Sequence, residues 1–325
     1  MAGKKTSRKN NSGGLGPLAF RGTKVGRSRA SLMSLNRPVT SHRLNAVAVD
    51  SILRVVVFWG VLFRVCLFAC KGCHEARGVV PFRMDMKDIQ CLVWNLEWAS
   101  VRSKRGKMMQ GVLAASRAHV MCLTEIEQGM YPAEGHVVEA EADYGYPNPP
   151  GRRKVILWSK SPWSGLHLHP SGRMPGGRFV SGVTAGIRFV GVGIPWRDAH
   201  VSTGRRDRRP WEEHLAYLDE LDVYLGDVSA GHEPICVCGD YNQRIPPRRQ
   251  PKGVYEKLSQ VFQRHSLSIV TAGQKDEEDK LLIDHLAVGS GIHASVEYII
   301  PKTGDAGMKL SDHSGLACSL SASVV

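Results

Sequence analysis

Asp240 and Asn242, in the stretch ICVCGDYNQRI, are polar side chains for which the end of an apolar strand has no structural use. The run from Ile235 to Cys238 is too apolar to face water on either side, and it breaks at Gly239 into an acid, an aromatic, an amide and an arginine. The pattern recurs along the chain. LVWN ends at Asn95 with Glu97 two residues on, and VMCLTE ends at Glu125. LLIDH carries Asp284 within an apolar run, and KLSDHS sets Asp312 and His313 just before the last one. Taken singly, a carboxylate after a strand is usually a turn residue or a helix cap. Asp284 is harder to dismiss, because a charge buried in mid-strand needs a partner or costs several kcal/mol.

Carboxylates, amides and one histidine gathered together suit one kind of chemistry. Oxygen ligands without clustered Cys or His select a hard cation, Mg²⁺ or Mn²⁺, over zinc. Mg²⁺ keeps several waters and is held by one or two carboxylates plus substrate phosphate, which matches Glu125 as the main anchor. An amide such as Asn242 can donate to a phosphoryl oxygen. A histidine paired with an aspartate can be held protonated beside a developing oxyanion. The ensemble reads as metal-assisted hydrolysis of a phosphate ester.

Each of these residues sits at or beside the end of an apolar run, so a fold that gathers those ends gathers the side chains. Strands are expected at IQCLVW, HVMCL, KVILW, IRFVGVGI, PICVC, LLIDHLAV, VEYII and GLACSL. Helices are expected over residues 103–118, over RPWEEHLAYLDELDVYL with Trp211, Leu215, Leu218, Leu221 and Leu225 on one face, and over residues 254–265. Pro210 suits a first helical turn, where Glu212 and Glu213 oppose the N-terminal dipole. Strands and helices interleave, with short hairpin-like steps near the end, so the class is α/β with mixed sheets.

The formal charge of +13 is local to the front of the chain. Residues 1–83 hold 15 of the 43 Lys/Arg and two of the 30 Asp/Glu, which leaves 28 of each sign for residues 84–325. Any inference from charge to a polyanion must therefore be made loop by loop. Residues 1–45 are too polar to offset chain entropy and are expected to be disordered. Residues 51–70 are apolar but carry Arg54 and Arg64, whereas a spanning helix needs about 20 apolar residues. Three readings stand for this segment: a signal anchor with a basic tail, an amphipathic surface helix, or an extension ahead of a true start at Met84 or Met86. The expected division is a basic extension, 1–83, and a catalytic domain, 84–325. A membrane is involved only through 51–70. Five of the eight cysteines lie in apolar runs, as small buried hydrophobes do, which fits a reducing, cytoplasmic setting. The chain is expected to act as a monomer. Cys70 to His74 has the C-x-x-C-H spacing of a haem attachment site but lacks the context such a site needs.

WNLEW, LTEIE, GDYNQR, IDHLAV and SDHSGL, in that order, resemble the signature blocks of the endonuclease/exonuclease/phosphatase superfamily, over roughly residues 86–322. The resemblance implies a four-layered sandwich of two mixed β-sheets flanked by helices. It also implies roles. Asn95, Glu125 and Asp312 would surround a Mg²⁺ or Mn²⁺ ion, with Glu97 as an additional or water-mediated ligand. Asp240 would align and deprotonate the attacking water, Asn242 would support it, and Asp284 would orient His313 on the scissile phosphate.

One block departs from the family pattern. Many relatives carry His or Tyr near the end of the strand matched by FVGVGIPWRDAH, where this chain has Gly193, Pro195 and Trp196. That leaves protonation of the leaving group to a metal-bound water or to His200 from the next loop. Basic loops with interleaved aromatics follow, and Trp196, Arg197 and Arg244 are expected to bind substrate, with nucleic acid as the partner. The plainer alternative is an arginine face paired with acids of its own loops. A phosphatase or a phospholipid-headgroup phosphodiesterase shares the fold, and a catalytically impaired binding module is a further alternative.

Overall fold

The computed structural model describes residues 88–168, 173–304 and 307–322. The readings of the basic extension, of segment 51–70 and of the Cys70–His74 motif lie outside the described residues.

The elements run in chain order β1 (Ile89–Asn95), α1 (Lys104–Ala115), β2 (Val120–Glu127), β3 (His136–Glu139), β4 (Arg152–Ser159), β5 (Ser164–His167), β6 (Phe179–Thr184) and β7 (Ile187–Gly193). They continue with α2 (Glu212–Ser229), β8 (Ile235–Asp240), α3 (Lys252–Arg264), β9 (Ser268–Ile269), β10 (Asp284–Val288), β11 (Ile292–Ile300) and β12 (Gly315–Ala322). They form two six-stranded sheets, ordered β11-β12-β1-β2-β4-β3 and β5-β6-β7-β8-β10-β9. Each sheet has one parallel pair, β1 with β2 and β7 with β8, and each pair is joined through a helix, α1 or α2. A parallel step needs such a crossover, whereas the remaining antiparallel steps do not. Both sheets are mixed, as expected.

Strand alternation builds the layers. On β1, Cys91 and Val93 face the gap between the sheets, while Leu92 and Trp94 pack beneath α1 with Met109 and Leu113. On β8, Cys236 and Cys238 face the same gap, and Ile235 and Val237 pack under α2 and α3. This two-sided burial explains the unbroken apolar runs. α1 is opened by Ser103, whose side chain accepts from the Gly106 N–H at 2.9 Å. α3 buries Val254, Leu258, Val261 and Phe262, a spacing that keeps them on one stripe.

α2 departs from expectation at its start. Trp211 is left-handed, at φ 71°, and its N–H donates to the Arg197 carbonyl, so the helix begins at Glu212 and Pro210 lies before it. The buried face is His214, Tyr217, Leu218, Leu221, Tyr224, Leu225 and Val228, and Leu215 is only half-buried. Among the described residues no helix is long and apolar enough to cross a membrane.

Two buried histidines lock the loops that carry the site. His214 Nδ1 lies 2.6 Å from the Pro195 carbonyl and Nε2 lies 2.8 Å from Gln243 Nε2, joining α2 to the turns after β7 and β8. His285 joins the Thr271 hydroxyl, at 2.8 Å, to the Gln243 carbonyl, at 3.0 Å. Burial pushes both imidazoles down to about 4. Both stay neutral in the fold but gain protons near pH 6.5 when unfolded, so their contribution to stability is complete above 6.5 and is lost as pH falls towards 4. For a pKa depressed that far, lowering the pH from 7.5 to 5 costs about 2 kcal/mol per histidine. Urea denaturation at those two pH values measures it. His214→Gln is expected to shrink the pH dependence by that amount; an unchanged difference counts against a neutral buried His214.

Candidate active site

At one end of the inter-sheet gap the apolar lining gives way to Asn95, Asp240 and Asp284, which continue the alternation of Val93, Cys238 and Leu286. Asp240 and Asp284 are direct partners in the antiparallel β8–β10 register, so their carboxylates share one face. Both are buried. Gly239, before Asp240, is at φ 139°, and an added Cβ would fall 2.0 Å from the Val192 carbonyl oxygen, so only glycine lets β8 lie this close to β7.

Donors from several elements satisfy the two acids. Asn95 N–H donates to Asp284 Oδ2 and Asn95 Nδ2 to Asp240 Oδ2, each at 3.1 Å, and both bonds run from one sheet to the other. Asn242 donates to Asp240 twice, from N–H to Oδ1 and from Nδ2 to Oδ2, each at 2.9 Å. Its second amide hydrogen goes to the Ile194 carbonyl at 2.9 Å. With both Nδ2 hydrogens used, Asn242 holds Asp240 in place and is not free to donate to a phosphoryl oxygen. His313 Nδ1 lies 3.0 Å from Asp284 Oδ1. The histidine is fixed by Ser311, whose hydroxyl donates to the Asn95 carbonyl at 2.7 Å and accepts from the His313 N–H at 3.1 Å.

These neighbours set the protonation states. Burial, with Asp284 adding, outweighs the attraction of His313 and lifts Asp240 to about 6. Burial opposes a charge on His313, but Asp284, then Asp240 and Asp312, overcome it and raise the imidazole to about 10. The site therefore offers a carboxylate that can exchange a proton near neutrality beside a stable imidazolium.

Glu125 approaches from the first sheet. It is left-handed, at φ 49°, between the paired positions Thr124↔Val155 and Ile126↔Arg153, and it faces Lys154, whose Nζ lies 2.5 Å from Oε1. Burial works against the Glu125 anion, but Lys154 outweighs it and holds the carboxyl below its usual range. Asn242, at φ 53°, and Glu97, at φ 46°, are left-handed too. Such non-glycine conformations are uncommon and concentrate where surrounding structure over-determines them.

The remaining expected residues are more peripheral. Glu97 donates its N–H to Asn95 Oδ1, but its carboxylate pairs with Arg105 at 2.6 Å and Lys309 at 2.9 Å. The Asp312 side chain is 56% exposed, with Oδ1 3.9 Å from His313 Nε2. Arg197 pairs with its neighbour Asp198 at 3.2 Å, and Arg244 is exposed. In the arginine loop the plainer reading holds for Arg205 and Arg208, which are tied to Glu213 at 2.9 and 2.6 Å. His200 does not reach the site. It is buried and stacked on Tyr146 at 4.4 Å, with Nδ1 accepting from the Arg205 N–H, so that Nε2 carries the ring proton and faces Glu213 Oε1 at 3.9 Å.

Trp196 is half-buried in a row of rings, Trp98–Tyr144–Tyr146–Trp196, with successive centroids 5.7, 5.6 and 5.4 Å apart. Arg178 lies over Tyr144 and Trp196, and Lys154 lies 5.9 Å from the Trp196 centroid. Lys154 and Arg178 are buried charges that the sequence reading missed. A basic residue just before an apolar run, as in RRKVILW and GGRFV, was the available signal, and it reads equally well as a strand boundary.

The profile of the Endonuclease/Exonuclease/phosphatase family matches residues 92–313. Among curated proteins none matches the sequence. Several solved structures share the fold. The 3′ phosphatase NExo from Neisseria, bound to a product DNA hairpin, is 17% identical, covers 71% of this chain and 98% of its own, and gives a TM-score of 0.52. The AP endonuclease LMAP from Leishmania major is 11% identical over 72% of this chain and 88% of its own, at TM-score 0.53. An AP endonuclease from Archaeoglobus fulgidus is 14% identical over 71% and 98%, at TM-score 0.50. At these identities the structural likeness speaks for the fold alone, but the family profile spans more than half the chain, from β1 to His313, and takes in every residue of the buried array. The chain belongs to the Endonuclease/Exonuclease/phosphatase family and is a hydrolase of phosphate esters.

Proposed function

We propose that this chain is a divalent-metal-dependent phosphodiesterase that cuts nucleic acid strands. The observation that carries the reading is the buried array in which Asn95 bridges Asp240 to the Asp284–His313 pair. In it Asp240 is the general base. It takes a proton from water, whose oxygen then attacks phosphorus, and a carboxyl lifted to about 6 suits that task because it is ionised at neutral pH yet basic enough to accept. Asn242 and Asn95 fix its orientation. His313, protonated and turned by Asp284, presents Nε2–H to a phosphoryl oxygen as negative charge builds there.

The donor set fits a hard cation. Ligand-type atoms of Asp240, Asp284 and His313 all lie within 4.8 Å of one another, but His313 Nδ1 is turned to Asp284 Oδ1 at 3.0 Å, so that trio is read as a hydrogen-bonded array. Glu125 is the stronger anchor, because the Lys154 ammonium already stands against it as a resident cation. Mg²⁺ or Mn²⁺ would be held by Glu125 with Asn95 Oδ1 and Asp312, and Glu97 would take part only if it left Arg105 and Lys309. When bound, the ion would supply positive charge to a phosphoryl oxygen.

Nucleic acid is favoured as substrate by the ring row with Arg152, Arg178 and Lys154 over it, which suits a strand with accessible bases. Of the structures of the same fold, the 3′ phosphatase from Neisseria is bound to a product DNA hairpin, and those from Leishmania major and Archaeoglobus fulgidus are named AP endonucleases. Trp196 would wall the strand, and Arg197 and Arg244 would meet its backbone from the rim.

The test is metal-dependent cleavage of end-labelled single- and double-stranded DNA and RNA by the full chain. Asp240→Asn and His313→Ala are each expected to lower kcat by about 10²–10⁴-fold with the fold intact by circular dichroism, and EDTA to abolish cleavage. A folded chain that cuts none of these polymers would falsify the nuclease reading. The pH profile adds a second check. kcat/KM is expected to rise with pH through about 6, as Asp240 ionises, and to fall near 10, as His313 loses its proton. An acid limb unchanged in the residual activity of Asp240→Asn would remove Asp240 as the base.

A further inference from the structure

Two buried cations, Arg178 and Lys154, border the site and take no part in the proton transfers above. Arg178 is closed over by the rings of Tyr144 and Trp196. Lys154 is buried too, but among the described residues the Glu125 carboxylate is the one hydrogen-bond partner of its ammonium, which carries three N–H donors.

We propose that Lys154 is a further catalytic residue, whose ammonium acts as a fixed charge that stabilises the oxygen leaving phosphorus. The proposal rests on the phosphodiesterase reading and adds to it a group on the β4–β7 side of the site.

Position is the first ground. Lys154 projects from β4 across the inter-sheet gap onto Gly193, the last residue of β7, where an added Cβ would meet Lys154 Cγ at 3.2 Å and Cε at 3.6 Å. The glycine leaves the room that the lysine stem fills. Nζ then lies between Glu125 and the Trp196 ring, and its charge acts on both Glu125 and Asp240. The other side chain that could have served this side, His200, is buried in its loop, with Nδ1 accepting from the Arg205 N–H and Nε2 facing Glu213.

Charge balance is the second. The Lys154 side chain is 2% exposed, so water compensates it poorly, and Glu125 is its counter-ion. A divalent cation held at Glu125 would take a large share of that carboxylate's charge, and the ammonium would then need another anion, which a phosphodiester supplies. As the bond from the water oxygen to phosphorus forms and the bond to the leaving oxygen breaks, the electron pair of the broken bond stays on that oxygen. Lys154 offsets the charge until the oxygen takes a proton from a second water, and the hydroxide so formed is neutralised by the proton that Asp240 took from the attacking water. Lys154 itself gives up no proton in this scheme.

The experiment compares leaving groups in the full chain. An end-labelled oligonucleotide releases a poorly stabilised alkoxide, whereas bis(4-nitrophenyl) phosphate releases an aryl oxide that needs little help. Lys154→Met is expected to lose at least about 100-fold in kcat on the oligonucleotide and less than about 5-fold on the aryl ester, with Lys154→Arg recovering part of the loss. Gly193→Ala, which displaces the lysine stem by a few tenths of an ångström, is expected to give the same selective loss in milder form, and it covers the case in which Lys154→Met does not fold. Mn²⁺ affinity of Lys154→Met, read from the EPR signal of free Mn²⁺, is expected to be unchanged or tighter, since a competing cation has been removed. An equal loss on both substrates, or Mn²⁺ binding weakened about 10-fold or more, overturns the proposal and leaves Lys154 as a partner of Glu125 only. If the unaltered chain hydrolyses neither substrate, the phosphodiesterase reading itself falls; if it hydrolyses the aryl ester alone, the reading of the leaving group falls.

Discussion

Two aspartates stand side by side on adjacent strands, and the rest of the site is arranged around the cost of keeping them there. Asp240 and Asp284 are direct cross-strand partners and both are buried. Directly opposed side chains have Cβ atoms about 5 Å apart, and two full charges at that distance repel by on the order of 3 kcal/mol at an effective dielectric of about 20. Desolvation adds to this. The compensation comes from Asn95 on the other sheet, from His313 in the loop before β12, and from the Asn242 turn. Two of these bonds tie one sheet to the other, so the polar array is also the clasp that closes this end of the sandwich.

The same constraint accounts for the unusual backbone nearby. The turn after β8 must bend back so that Asn242 can reach both oxygens of Asp240 and the Ile194 carbonyl, and the price is a left-handed asparagine. β2 must turn Glu125 toward the gap at a position where regular pairing is interrupted, and it does so in the same left-handed region. Gly239 and Gly193 work in the opposite way. They remove side chains, the first so that β8 can approach β7 and the second so that Lys154 can lie across the gap. Backbone conformations that are poor for stability alone are here tied to the polar groups gathered at this end of the sandwich.

Much of this was legible in the sequence, and for a physical reason. Both sheets are covered on their two faces, so central strands such as Ile235–Asp240 are apolar throughout, and any polar residue at their ends stands out. Asn95, Asp240 and Asp284 were found that way. Two edge strands were not: His136–Glu139 and Ser164–His167 are short, and Val138 is their one buried residue, so they carry little apolar signature. Lys154 and Arg178 were missed because a charge beside an apolar run marks a strand boundary as readily as a buried ion. His200 was misjudged in another way: nothing local announces that Tyr146, more than fifty residues earlier, stacks on it. Contacts between distant segments are set by the packing of the two sheets, which the local pattern of residues does not encode. The start of α2 was misjudged because a hydrogen bond from Trp211 to the Arg197 carbonyl overrides the helical preference of its neighbours.

The central claim is that Asp284 holds His313 protonated through the neutral range. An NMR titration of the imidazole carbons and nitrogens in the unaltered chain and in Asp284→Asn tests it most directly. The account expects His313 to remain an imidazolium from pH 6 to beyond pH 8, with its titration near 10, and to fall back toward about 6.5 or below when Asp284 is replaced. A histidine that loses its proton near pH 6.5 or lower in the unaltered chain would contradict the account, because the buried pair of aspartates would then lack the cation that balances it.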